Sequence, residues 1–184
     1  MEDLKYNIYP ISKQEEASLG RFTIHLDTVK VGEKEFPYSY LKVKNSISVL
    51  PIVNGEILLV KQYRHALKSW EYEIPGGGLE DGEIVEEAAA RELIEETGYK
   101  VDKIEMLGMY YPSPGLMNEK AYLCVAYCHD EGNLRREPLE LMTLELVSES
   151  TFESMIISGV FKHGMGIASW LKYKLLEIKK HNLL

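Results

Sequence analysis

Apolar and polar residues alternate along much of the first half of the chain, the pattern of strands with one buried face. Arg21–Lys30 (RFTIHLDTVK) alternates in this way, Gly32 with its charged neighbours marks a turn, and Tyr38–Val43 alternates again. Ser46–Val53 (SISVLPIV) and Glu56–Tyr63 (EILLVKQY) follow, joined by Asn54-Gly55. An Asn-Gly pair between two apolar runs is the strongest short-range hairpin signal. Pro75 and the glycines Gly76, Gly77 and Gly78 break the pattern and predict a loop. After Asp81-Gly82 the residues are helix formers from about Glu83 to Thr97, and Gly98 stands where a helix-terminating glycine belongs. Three more strands are expected at Lys103–Tyr111, Lys120–Cys128 and Thr143–Val147. Ser150-Thr151-Phe152-Glu153 predicts a capping box opening a short helix that ends near Gly159. In Gly166–Lys180 the residues Ile167, Leu171, Leu175 and Ile178 fall at helical spacing, which predicts an amphipathic helix packed on the body.

Strands and helices interleave without regular βαβ alternation, so the expected class is α/β, a mixed sheet with helices on both faces. Residues 1–45 form an expected antiparallel strand arm, and 46–184 the main domain. The chain has 184 residues, 45% hydrophobic and 27% charged, enough for one domain with a buried core. No apolar run reaches the roughly 18–20 residues that span a bilayer. The opening MEDLKYNIYP is too acidic and interrupted for a signal peptide, so a cytoplasmic protein is expected. A formal net charge of −8 argues against nucleic acid or an anionic membrane as the main partner. A small anionic substrate stays open, because a bound metal inverts the local field. Cys124 and Cys128 would point to one face of a strand, about 13 Å apart, too far for a disulfide or shared zinc. They are expected to be buried free thiols.

Chemistry concentrates in the glutamate-rich helix. At about 100° per residue, Val85, Ala88, Ala89 and Glu96 lie within about 60° of Glu92. The apolar stripe that should face the core thus continues into Glu92 and Glu96, with Glu95 at its edge. Carboxylates crowded against the protein body repel each other unless a cation joins them, and oxygen-only ligands suit Mg²⁺ or Mn²⁺. Arg91 is spaced four residues from both Glu87 and Glu95, able to pair with either. The glycines would bring main-chain groups close to a ligand, and the helix N-terminus favours an anion. The plain alternative is a solvated helix stabilised by Glu–Arg pairs.

Gly77, five residues, Glu83, seven residues and then Arg91-Glu92-Leu93-Ile94-Glu95-Glu96-Thr97-Gly98 resembles the Nudix box at every fixed position. Tyr99, where an aliphatic residue is usual, is the one departure; that position packs the loop and is not a ligand. Gln62-Tyr63-Arg64, Glu73-Ile74-Pro75-Gly76-Gly77 and Ser113-Pro114-Gly115 resemble the ADP-ribose and nucleoside diphosphate sugar pyrophosphatase branch, in which a proline falls sixteen residues after the last box glycine, here Pro114. The similarity covers roughly residues 20–180.

The resemblance implies a Nudix α/β/α sandwich and metal-dependent hydrolysis of a diphosphate linkage in ADP-ribose or a related sugar nucleotide. It implies Mg²⁺ or Mn²⁺ held by Glu92 and Glu96, with Glu95 or Glu83 assisting and the Gly76 carbonyl contributing. Arg91 would orient a carboxylate, and Arg64 would contact a phosphate. Glu73, Glu119 and Pro114 would lie near the substrate. Glu140 is the first choice for the general base and Glu137 the second, whereas Glu145 is expected within the following strand. The base or sugar would rest on aromatics, with Tyr38 foremost and Tyr40, Phe22, Tyr110 and Tyr111 as further candidates. His65 is a lesser candidate for a phosphate contact. A homodimer is implied, its N-terminal strands exchanged or packed across the two-fold. Two readings compete: a non-catalytic nucleotide-sugar sensor, and an enzyme acting on GDP-mannose, nucleoside triphosphates or dinucleoside polyphosphates.

Overall fold

The computed structural model describes residues 10–20, 22–131 and 142–181. They fall into two compact units, one of Met1–Val43 with Ser113–Glu119, the other of Lys44–Pro112 with Lys120–Leu184.

In the first unit β1 (Ile11–Leu19), β2 (Phe22–Val31) and β3 (Lys34–Lys42) form an antiparallel sheet in the order β1-β2-β3. β2 and β3 answer to the expected strands, with β3 starting four residues earlier. β1 (ISKQEEASL) was not legible, because every one of its residues is exposed and its polar run carries no alternation. β2 is inverted relative to an ordinary half-buried strand: its polar His25 and Asp27 are buried, while Phe22, Ile24 and Leu26 are exposed. Ser113–Glu119 is tied to β3, with the Leu41 amide donating to the Leu116 carbonyl and the Val43 amide to Asn118 Oδ1.

The second unit is built on a seven-stranded mixed sheet from β4 (Ser46–Val53), β5 (Glu56–Arg64), β6 (Ser69–Glu73), β7 (Gly76–Gly78), β8 (Tyr99–Tyr110), β9 (Ala121–Glu131) and β10 (Met142–Val147). The order is β10-β5-β4-β9-β8, with β6 paired to β5 and β7 to β4. β4 and β9 run parallel and every other pair is antiparallel. The β4–β5 hairpin turns at Asn54 (φ 51°) and Gly55 (φ 85°), two left-handed residues as its twist requires.

Alternation along β4, β5 and β9 sends side chains into two cores. On one face Ile47, Val49, Leu58, Cys124, Ala126 and Cys128 meet Ala88, Ala89 and Leu93 of α1 (Val85–Thr97). On the other, Leu50, Ile57, Leu59 and Val125 meet Phe152 of α2 (Glu149–Ile157) and Trp170 of α3 (Gly164–His181). Helices thus cover both faces of a mixed sheet, the α/β/α architecture expected. Both cysteines are free, buried and on one face.

Two local expectations are corrected. The cap of α2 is Ser148, whose hydroxyl accepts the Thr151 amide, so the helix starts before the Ser150 capping box would allow. In α3 the residues Leu171, Leu175 and Ile178 are 58%, 56% and 53% exposed. The packed face is Gly166, Ser169 and Trp170, with Ile167 and Tyr173 beside them. Small residues let the helix approach closely and the indole fills the remaining space, which leucine spacing alone could not reveal. Among the described residues, no helix is long and apolar enough to cross a membrane.

Candidate active site

α1 sets the site because its inward face changes character along its length. Ala88, Ala89 and Leu93 seat it on the sheet, and one turn on Glu96 is only 8% exposed. The helix stops at Gly98, in the left-handed region at φ 75°, whose amide donates to the Ile94 carbonyl. Tyr99, the departure from the family pattern, is buried as the first residue of β8.

The glycines oppose this face, but as a strand rather than the expected loop. Gly76, Gly77 and Gly78 pair with Ser48, Ile47 and Ser46 of β4. None of the three has a positive φ, so unusual backbone conformation is not why glycine is needed. Close approach is the reason. A Cβ on Gly77 would lie on the Glu92 carboxylate, and one on Gly76 would strike the Ile47 carbonyl oxygen. The Gly76 amide donates to Glu96 Oε2 at 3.2 Å, so β7 and α1 are joined through both glutamates.

Arg91 organises the remaining acids. Its Nε donates to Glu83 Oε1 at 2.9 Å and its Nη1 to Glu92 Oε1 at 2.6 Å, with Glu95 Oε2 at 3.5 Å. Its Nη2 also donates to Glu83 Oε2 at 3.1 Å, so Glu83, eight residues back in the turn before α1 and outside the reach of helical spacing, is held by two bonds, while the expected Glu95 pair is present as the longest contact. The Glu83 bond, then that to Glu92, pushes the guanidinium further up from its already high pKa. The Glu83 carboxyl is held below its usual range, first by Arg91 and then by the Glu80 amide.

On β5 and β6, Arg64 forks onto Glu73, its Nε donating to Oε1 at 2.7 Å and its Nη2 to Oε2. His163, which the sequence did not single out, accepts the Ile74 amide on Nδ1 at 3.3 Å. A lone histidine ahead of a glycine-rich helix start carries no signal that would have found it. In the first unit, Tyr38, Tyr40, Pro114, Met117 and Asn118 line a cavity of about 310 Å³. Tyr40 stacks on His25 with ring centroids 5.0 Å apart. Glu119 is half-buried in the same loop and Tyr111 is exposed. Tyr110 ends β8, Glu145 lies in β10 and accepts the Tyr72 hydroxyl, and His65 is exposed in the turn after β5. Glu137 and Glu140 lie outside the described residues.

The donor set around β7 and α1 is all oxygen, which fits a hard divalent cation such as Mg²⁺ or Mn²⁺. Among the described residues no three acidic, histidine or cysteine side chains converge as a ready ligand set; Glu83 and Glu92 are turned onto Arg91.

Comparison with known proteins follows the same lines. A crystal structure of an ADP compounds hydrolase superposes with a TM-score of 0.83 over 94% of this chain and 95% of that one, at 21% identity. An ADP-ribose pyrophosphatase of Bacillus subtilis (strain 168) is 35% identical over 136 residues, 72% of this chain and 70% of the relative. An ADP-sugar pyrophosphatase of Mus musculus is 38% identical over 104 residues, 53% of this chain and 48% of the relative. The NUDIX domain model matches residues 42–156, a span that holds the glycine strand, the glutamate helix and Arg64, and the chain belongs to the NUDIX family.

Proposed function

We propose that this Nudix pyrophosphohydrolase cleaves the diphosphate linkage of ADP-ribose or a related nucleoside diphosphate sugar, releasing a nucleoside monophosphate and a sugar phosphate. The β7–α1 junction carries the reading: Glu96 accepts the Gly76 amide, and Glu92 fills the space of a missing Gly77 side chain. The relatives named for ADP-ribose and ADP-sugars favour this substrate class over triphosphates. A relative named GDP-mannose pyrophosphatase, 32% identical over 127 residues, keeps that sugar nucleotide in the test.

Glu92, Glu95 and Glu96, with the Gly76 carbonyl, would hold Mg²⁺ or Mn²⁺, and Glu83 would assist. When bound, such an ion neutralises charge on the diphosphate and lowers the pKa of water. Arg91 orients Glu92 and Glu83 and spreads their charge. Arg64, its plane fixed by its fork onto Glu73, is the proposed phosphate contact, where a guanidinium brings a permanent positive charge. Tyr38 and Pro114 are the proposed contacts for the base, and Glu119 a further substrate contact. Water attacks one phosphorus, the bridging P–O bond breaks, and its oxygen leaves with the second monophosphate. Glu140 is the proposed acceptor of the water's proton. Because little covalent chemistry falls to the protein, positioning and charge neutralisation dominate.

Residues 1–45 are the proposed dimerising arm and 46–184 the catalytic domain. The exposed Phe22, Ile24 and Leu26 on β2 support a homodimer that covers them. Two free buried thiols suit a reducing compartment, the cytoplasm.

The deciding experiment incubates the protein and Mg²⁺ with ADP-ribose, GDP-mannose, UDP-glucose, a nucleoside triphosphate and a dinucleoside polyphosphate. Release of AMP from ADP-ribose supports the proposal. Binding without cleavage of any compound replaces it with a sensor.

A further inference from the structure

Segment Phe161–His163, between α2 and α3, lies along β6 and is tied to it or to the residue just beyond it at three successive positions. Phe161 bridges to Tyr72 in parallel sense, Lys162 Nζ pairs with Glu71 at 2.9 Å, and His163 Nδ1 accepts the Ile74 amide at 3.3 Å. The third tie falls at the junction between β6 and β7. On one side of Ile74 stands Glu73, which holds Arg64; on the other, past Pro75, stand Gly76 and Gly77, against which Glu96 and Glu92 rest.

The tie has a fixed chemistry. A backbone N–H can only donate, so Nδ1 must be bare and the ring proton sits on Nε2. Burial lowers the pKa of the imidazole, with Arg64 acting in the same sense and Glu73 opposing, so the ring is held in the neutral form that can accept. The ring is itself anchored. It stands edge-on to the buried Phe161 ring at 6.3 Å, and its own carbonyl accepts the Ile167 amide in the first turn of α3. The junction is thereby referred to the α3 side of the core, independently of α1.

We propose that His163 is a positioning residue: through the Ile74 amide it fixes the junction that sets the Arg64–Glu73 pair against the glycine strand and its glutamates. The kinetic part rests on the diphosphate hydrolysis proposed above.

The test uses the full chain with Mg²⁺ and ADP-ribose, together with amide hydrogen exchange at Ile74 and Gly76. His163→Ala is expected to lower kcat about tenfold, the scale of one net hydrogen bond lost from a positioned group, with KM changed less. His163→Asn, whose Oδ1 can accept the same amide, is expected to restore most of kcat. The Ile74 and Gly76 amides should exchange faster in the alanine variant and near the wild-type rate in the asparagine variant. Wild-type kcat and exchange in His163→Ala overturn the proposal, as do equal losses in both variants. If His163→Ala does not fold, His163→Leu, which fills the space without an acceptor, takes its place. A wild-type chain that cleaves nothing defeats the hydrolase reading alone, and the exchange measurement then still decides the role of His163.

Discussion

Gly77 and Glu92 share one space: the Glu92 carboxylate lies where a side-chain carbon on Gly77 would be. The carboxylate is the far end of a flexible chain, so Gly77→Ala should fold by pushing it aside. Activity should fall by roughly 10²–10³-fold, the scale of losing one key electrostatic group. Gly76→Ala differs, because its new carbon meets the Ile47 backbone oxygen, which cannot swing away. That variant should lose about 1–3 kcal/mol of stability, as overpacked sites do. Melting curves and kcat measured on both variants check the contrast: one keeps its stability and loses rate, the other loses stability.

Glu96→Gln removes a charge and keeps an oxygen able to accept the Gly76 amide. The fold should survive, and kcat should drop by at least about 10²–10³-fold. A near-wild-type rate under saturating Mg²⁺ would remove Glu96 from the metal site.

Arg91→Lys tests geometry at constant charge. Arginine reaches Glu83 through Nε and Glu92 through Nη1, which a single ammonium on a flexible stem does not reproduce. Losing such an orienting group should cost about 10–100-fold in metal affinity or activity. A Mg²⁺ titration of the rate separates the two.

A pH dependence of stability follows from His163. Its pKa is lowered in the folded chain, first by burial, so below about 6.5 the unfolded chain binds the proton more readily. The neutral ring's contribution is complete above that value and is lost as the pH falls through the lowered, folded one. Melting temperature measured from pH 7.5 downward should fall in the wild type, and less steeply in His163→Asn.

Cys124 and Cys128 are pushed up to about 12, chiefly by burial. Neither should form thiolate at pH 8 or react with a thiol reagent in the native state. Both should react once denaturant opens the core. Fast native labelling would contradict their burial.

Local chemistry made part of this protein legible. The β4–β5 hairpin was readable because Asn54-Gly55 supplies two left-handed residues between apolar runs. The end of α1 was readable because Gly98 alone in its stretch accepts the αL conformation cheaply. The inward turn of Glu96 followed from helical phase, since the same face carries Ala88 and Ala89. Where the pattern was polar or glycine-rich, it failed: β1 has no buried face to announce it, and β7 is held by β4 and packed on α1 without any side chain of its own. The stripe of Leu171, Leu175 and Ile178 named the wrong face of α3, because Gly166, Ser169 and Trp170 pack more closely on the sheet.

By itself, then, the sequence determined the acids, their helix and the glycines opposite them, because spacing along a helix is fixed by its backbone. Tertiary structure decided which acid each cation meets and why the glycines must be glycines. Arg91 turns to Glu83, Arg64 to Glu73, and His163 crosses from the segment before α3 to the Ile74 amide. Those pairings depend on how far apart folded elements stand, a distance that no local pattern encodes.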